Sequence, residues 1–232
     1  MAAHAGPNVV DDGLILSLDA ANSKCFTSGE TTCINLITGN QITGANGQPN
    51  AGAHTPNSAN FPAFSSDGGG CFDFAGGRGM NVEENLGPQS AMTLDMWYYK
   101  AGSVNQYFTD ARNNGGGWFL SNYTSANINF YNQATYNFGG SYDASNPDFI
   151  NRWQHMCFAA ENTGASLYID GVEVYSIVTT ILCNLGANFR IGTRYTTATE
   201  WTGKMGPIKV YNRKLTANEA AQNYNAAKGR FI

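Results

Sequence analysis

The sequence predicts an all-β fold of two stacked antiparallel sheets, finished by one short C-terminal helix. Three observations carry that expectation. Short runs of alternating apolar and polar residues recur along most of the chain, with turn residues between them. Asp170-Gly171 separates two such runs, which is the signal of a two-residue hairpin. Only one segment, near the end, changes to helical spacing.

Residues 1–12 read as an N-terminal arm, with turns at Gly6-Pro7 and Asp12-Gly13, and residues 13–232 read as one domain. Leu14, Leu16 and Leu18 fall on one face of a half-buried strand. Residues 38–70 are dense in Gly, Asn, Pro and Ser and read as loops holding a short strand. A brief strand begins at Cys71. In Met92–Lys100, Met92, Leu94, Met96 and Tyr98 face one way, and Thr93, Asp95, Trp97 and Tyr99 face the other. Gln106–Asp110, Trp118–Tyr123 and Asn127–Gln133 follow at meander spacing. Arg152–Glu161 alternates, turns at Asn162–Gly164, and leads into Ser166–Asp170 and Val172–Ser176. Asn188–Gly192 and Met205–Arg213 supply the last strands.

The helix is expected over 217–228. Thr216 stands three residues before Glu219, the spacing of a capping box. Ala217, Ala220, Ala221, Tyr224 and Ala227 then recur at helical spacing, and Gly229 is placed to end the helix in a left-handed conformation. Its apolar face is small, so it is expected against one edge or end of the sheets.

Composition narrows the function classes. Charged residues make up 13% of the 232, against roughly 25% in ordinary globular domains. The surface is therefore built from Asn, Gln, Ser, Thr and Gly. Hydrophobic residues at 42% and aromatics at 12% exclude a disordered chain. Net charge is -4 and the basic residues are scattered, which argues against a nucleic-acid surface. No apolar run reaches the ~18 residues of a membrane-spanning helix. The opening residues lack the basic and apolar regions of a signal peptide, so synthesis in a cytoplasm is expected. Five cysteines, with no C-x-x-C pair, do not point to zinc. Cys157 reads as a buried thiol. Cys25 and Cys33 read as a reduced pair, with a bridge across the loop as the alternative.

Several segments together resemble a known superfamily. "DGLILSLDAAN", "MTLDMWYY", "SLYIDGVEVYS", "FRIGTR" and "GKMGPIKVYNRKLTANE" occur in the order of the laminin-G-like, concanavalin-A-like jelly-roll domains, and cover residues 13 to 226. The resemblance implies a two-sheet antiparallel jelly-roll sandwich with the helix as a structural finish. The opening "GPNVVDDGLILSLDAANSK" and the ending "AAQNYNAAKGRF" are also similar to domains of tailed-bacteriophage structural proteins, where such domains decorate the head or form part of a tail fibre. That narrower resemblance implies a virion location, other virion proteins as partners (reached through the arm) and a homo-oligomer, since particle components are usually symmetric.

Catalytic members of the superfamily are retaining glycosidases with E-x-D-x-E on one strand. Retaining chemistry needs two carboxyls about 5–5.5 Å apart. The nearest equivalent here is Thr93, Asp95 and Trp97, one acid of three, and Glu83-Glu84 would face opposite ways on a strand. The expectation is a protein that is not an enzyme. His155 shares a face with Trp153 and Cys157 and reads as a hydrogen-bonded sheet histidine. No cofactor motif is present. Calcium enters through the resemblance, since many laminin-G-like domains bind it. The candidate loops hold Asp110, Asn113 and Asn114, or Asp143, Ser145, Asn146 and Asp148, with Asp143 and Asp148 the better pair.

Saccharide binding is the superfamily's other activity. Sugars stack on aromatic rings and hydrogen-bond to amides, and Trp118–Tyr142 is rich in both. Trp118, Tyr123, Tyr131, Tyr136 and Asn132, with Tyr195 and Trp201 beside another polar loop, are the expected residues for a surface glycan or a neighbouring subunit. The competing reading makes half of these rings core, because strands favour aromatics. The expected function is a virion structural protein, with a host-glycan-binding adhesin on the same fold as the alternative and a diverged glycosidase as a distant third.

Overall fold

The structure is a computed structural model that describes residues 7–45, 58–75, 77–101, 106–112, 118–123, 127–132, 135–138, 150–186, 189–194 and 201–232. In chain order the strands are β1 (Leu14–Leu18), β2 (Cys33–Ile34), β3 (Gln41–Gly44), β4 (Ala63–Ser65), β5 (Cys71–Asp73), β6 (Met80–Val82), β7 (Pro88–Gln89), β8 (Ala91–Lys100) and β9 (Gln106–Asp110). They continue as β10 (Trp118–Tyr123), β11 (Asn127–Asn132), β12 (Thr135–Phe138), β13 (Trp153–Glu161), β14 (Gly164–Ile169), β15 (Val172–Val178), β16 (Cys183–Asn184), β17 (Phe189–Ile191) and β18 (Gly203–Tyr211), followed by helix α1 (Ala217–Ala227).

Two eight-stranded sheets form the predicted sandwich. The first runs β15-β14-β13-β8-β18-β5-β4, with β1 also paired to β18; the second runs β12-β11-β10-β9-β17-β6-β3-β2. Strands β7 and β16 form a small ribbon. Alternation decides what lies between the sheets. Met92, Leu94, Met96 and Tyr98 of β8 and Met156, Phe158 and Ala160 of β13 enter the main core. Phe158 meets Phe130 of the facing sheet with ring centroids 4.8 Å apart. Each large apolar side chain buried this way contributes about 1.5–3 kcal/mol.

Strand β18 passes through Gly206-Pro207. Proline donates no ladder hydrogen bond, so the pairing has to break there. The register with β8 shifts between Met205 and Ile208, and the neighbour on the other edge changes from β5 to β1 across the same point. At the hairpin, Asp170 and Gly171 take φ of 50° and 79°, the two positive values a type I′ turn needs, with Ile169 opposite Val172.

Leu14 does not share the face of Leu16 and Leu18. A bulge between Leu14 and Leu16 turns it over, and it packs with an outer cluster that includes Val10, Cys157, Tyr168, Tyr211 and Ala220. The helix lies across the outer face of the first sheet rather than at an edge: Tyr224 stacks on Trp97 at 5.6 Å, and Ala220 belongs to the outer cluster. Small alanines are what let it approach the sheet this closely.

The capping box forms as the sequence predicts. Thr216 Oγ1 accepts from Glu219 N–H at 3.3 Å, and Glu219 Oε2 accepts from Thr216 N–H at 2.8 Å. Gly229 does not stop the helix with a positive φ; Lys228–Arg230 continue as a 3-10 turn. That turn places Phe231 4.7 Å from the Trp97 ring and lets Arg230 pair with Asp19 at 2.8 and 3.1 Å.

The described part of the arm packs on its own chain. Val10 N–H donates to Asn223 Oδ1 at 2.8 Å, Val10 O accepts from Tyr211 OH at 2.9 Å, and Asn8 O accepts from Gln222 Nε2 at 2.7 Å. All five cysteines are free and buried, with the Cys25 and Cys33 side chains hydrogen-bonded to each other. No described helix is long and apolar enough to cross a membrane.

Candidate functional site

The outer face of the second sheet gathers polar and charged side chains that the core does not need. Its layout begins with a bulge in β9. Leu120 pairs with Thr109 and Ser121 with Tyr107, so Phe108 is the extra residue. Phe108 keeps its place in the core, and Tyr107 and Asp110 both turn outward. Register then builds one row across five strands: Thr43 opposite Asn81, Asn81 opposite Arg190, Arg190 opposite Asp110, and Asp110 opposite position 119. Position 119 in turn pairs with Tyr131 of β11. Directly opposed residues share a face, so the row is continuous on the outside of the sandwich.

Asp110 and Arg112 anchor the row. Arg112 donates from Nε to Oδ1 at 3.0 Å and from Nη2 to Oδ2 at 2.5 Å, and its backbone N–H adds a bond to Oδ1 at 2.9 Å. Both side chains are buried. A forked guanidinium–carboxylate pair of this kind is the strong form of ion pair. The Arg112 guanidinium also lies 5.6 Å from the Tyr107 ring centroid and 5.9 Å from that of Tyr131, and Arg194 lies 5.4 Å from Tyr107. Burial pushes the Tyr107 phenol up, opposed by the two arginines. Arg190 donates from Nη1 to the Arg112 carbonyl at 3.2 Å. Burial pulls its pKa down to about 10, with Asp110 opposing and Arg112 adding, so it is cationic at neutral pH.

Of the rings expected to meet a glycan, Tyr131 is on this face and half-buried. Trp118 and Trp201 are not: both are fully buried in the main core. Trp118 alternates with core residue Leu120 and donates from Nε1 to Asn184 O at 2.9 Å. Trp201 packs against Phe108 at 4.5 Å. Tyr123, Asn132 and Tyr136 have described backbone positions on β10, β11 and β12, and their side chains lie outside the description. Tyr195, Asp143 and Asp148 lie outside the described residues, as do Asn113 and Asn114. Asp110, the other calcium candidate, has both oxygens engaged by Arg112. Among the described residues no group of three or more His, Cys, Asp and Glu could hold a metal ion.

Sequence reasoning missed Arg112, Arg190, Arg194 and Tyr107. One signal was available. Arg190 sits between two core residues, Phe189 and Ile191, which assigns it to the outer face.

A second polar cluster lies on the first sheet. Asp95 Oδ2 meets His155 Nε2 at 3.0 Å and Asn223 Nδ2 at 3.1 Å, and Oδ1 meets Lys209 Nζ at 3.2 Å. Burial pushes the Asp95 carboxyl up. The His155 and Lys209 interactions and the hydrogen bonds outweigh it and hold the group below the ordinary carboxylate range. Asp95, His155 and Asn223 are fully buried under α1. The one acid of the glycosidase-like triplet is therefore a clamp for the helix and does not face a cleft. A separate surface pocket of about 340 Å³ is lined by Ser28, Glu30, Thr31, Phe64 and Arg78, where the Phe64 ring is 38% exposed.

Comparison with known proteins agrees with this architecture. A laminin G family model, described as the concanavalin A-like lectin/glucanases superfamily, matches residues 74–221. No curated protein matches the sequence. Domain 4 of AbnA, an extracellular GH43 arabinanase from Geobacillus stearothermophilus, solved with arabinotriose, has a TM-score of 0.64 at 14% identity, over 91% of this chain and 98% of that domain. The binding domain of botulinum neurotoxin DC, solved with rat synaptotagmin II, has a TM-score of 0.62 at 14% identity, over 93% of this chain and 52% of that one. A botulinum neurotoxin type C structure, described as depending on two ganglioside molecules for cell entry, gives 0.62 at 14% identity, over 93% and 51%. The chain spans about half the length of these toxin chains.

Proposed function

Because the chain belongs to the concanavalin A-like lectin/glucanases superfamily, we propose that it is a non-catalytic saccharide-binding module carried on a virion, as a capsid decoration or a fibre component. The observation that carries the saccharide reading is the outer row of the second sheet. There the partly exposed Tyr131 stands beside Arg112, Asp110 and Arg190, with Tyr107 buried among them, and Asn81 and Thr43 extend the row with an amide and a hydroxyl. An exposed ring for stacking beside fixed hydrogen-bonding groups is what a sugar needs. The arabinotriose-bound domain of the same fold supports this reading, as does the toxin structure described with gangliosides. The non-catalytic reading is supported by Asp95 being sealed under α1 and Asp110 being held by Arg112.

The virion reading rests on the phage-like opening and closing segments and on the low charge content of 13%. It brings with it other virion proteins as partners and a homo-oligomeric state. Calcium at Asp143 and Asp148 belongs to the same proposal, and a rise in melting temperature on adding calcium, reversed by chelator, is its test.

A glycan array tests the saccharide reading. Tyr131→Ala should weaken retention of the best ligand by roughly tenfold, and Phe64→Ala should leave it unchanged. The opposite pattern would move the site to the pocket at Phe64. Retention of no glycan would sink the saccharide reading altogether. Mass spectrometry of purified particles tests the location: presence supports a virion role, and absence removes it.

A further inference from the structure

We propose that the outer face of the second sheet selects a carboxylate-bearing saccharide, with Arg190 as the group that meets the acid. This rests on the saccharide reading above and names the class of sugar.

The chain carries 13 Lys and Arg residues and a net charge of -4, so a local excess of positive charge is out of keeping with the whole. Arg112, Arg190 and Arg194 nevertheless come together around Tyr107 and Asp110. Asp110 is committed to Arg112 through both oxygens. Among the described acids, Glu83 is engaged beside Thr43 in the same row, accepting from Thr43 Oγ1 at 2.6 Å.

Arg190 is 4% exposed, and its Nε has no hydrogen-bond partner. Two more buried groups on the same face are also unpartnered: Asn81 Oδ1, on the residue directly opposite Arg190, and Ser121 Oγ. Arg190 Nε is a donor and Asn81 Oδ1 an acceptor, yet they do not bond each other. A saccharide hydroxyl answers both, since it accepts from one and donates to the other. A carboxylate on the same sugar answers the guanidinium charge, which a neutral sugar leaves unpaired. Tyr131 and Arg194 are each partly exposed, and they give the cluster its contact with solvent. A stacking ring, a hydroxyl-bridging pair and an excess cation together describe an acidic sugar.

The test is an array of matched neutral and acidic termini: glucose beside glucuronic acid, and galactose beside galacturonic acid. Wild type should retain the acidic member of a pair at least roughly tenfold better, and that preference should shrink as salt is raised. Arg190→Gln should weaken retention of both members of a pair, because the bridging donor is lost, and should bring the acidic-to-neutral ratio, which is the readout, down to about one. Removing a buried guanidinium also threatens the fold, so Asn81→Asp is the second variant. It places a carboxylate beside Arg190 from within and should cancel the preference with the ion pair intact. Equal retention of neutral and acidic termini, or a preference that survives both variants, overturns the inference and leaves the saccharide reading standing. Retention of neither overturns both.

Discussion

Asn223 on α1 and Asp95 on β8 share a hydrogen bond of 3.1 Å in which neither side chain is exposed. The same amide donates to Tyr211 OH at 2.9 Å and accepts from Val10 N–H at 2.8 Å. One side chain thus joins the helix, two strands and the N-terminal segment. Asn223→Ala leaves three buried polar groups short of a partner, and the expected loss is about 2–4 kcal/mol of unfolding free energy. Denaturant titration at neutral pH measures it. A loss below about 0.5 kcal/mol would show that the helix is held by its apolar contacts alone.

Acid should loosen the same region. Asp95 titrates below its ordinary 3.8 because its partners outweigh burial. Glu219 is held at about 2, against an ordinary 4.5, by the Arg213 fork and the Thr216 cap. Both folded-state values are depressed, so both contributions are present above the unfolded values and are lost as pH falls through the folded ones. Stability should be flat near neutrality and fall below about pH 4.5. Asp95→Asn should be less stable at neutral pH, since it leaves Lys209 without its charge partner, and should show a shallower fall in acid. An unchanged slope would assign the acid sensitivity elsewhere.

Thiol access offers an independent check on the core. All five cysteines are buried. Burial pushes Cys71 and Cys183 up to about 11, and Cys157 rises well above the ordinary value. An aromatic disulfide reagent at pH 8 should label none in the native protein and five after denaturation. Cys25 is the exception in acidity: the hydrogen bond from Cys33 draws it down. If one thiol reacts natively, Cys25 should be first.

The β14–β15 turn makes a backbone prediction. Gly171 has φ of 79°, and a Cβ there would stand 3.2 Å from Ala221 Cα and 3.2 Å from Tyr224 Cδ1. Gly171→Ala should cost about 1–3 kcal/mol through strain and helix displacement. Asp170→Gly should cost less, because glycine takes the positive φ of 50° freely. Thermal melts of the two variants compare them directly.

The long strands were legible because alternation over five or more residues has one structural meaning, and the faces of β8 and β13 came out as read. A bulge broke the reading beside Leu14 and inverted that residue, and a second bulge, at Phe108, sets Asp110 on the outer face in a way no alternation could announce. Strands of two to four residues such as β2, β3 and β6 are too short to show a period. Trp118 looked like a ligand ring because asparagines surround it, but its alternation with Leu120 is the stronger signal and puts it in the core. The arginine cluster has no local signature. It is assembled from β9, β17 and the segments after them, and only register brings those together.

Val10 meets Asn223 across 213 positions of sequence, and Leu14 pairs with Tyr211. A fold whose first strand waits for its last has high contact order, which places its folding among the slower single domains, in milliseconds to seconds. On a ribosome β1 must stay without its sheet partner until β18 has been made.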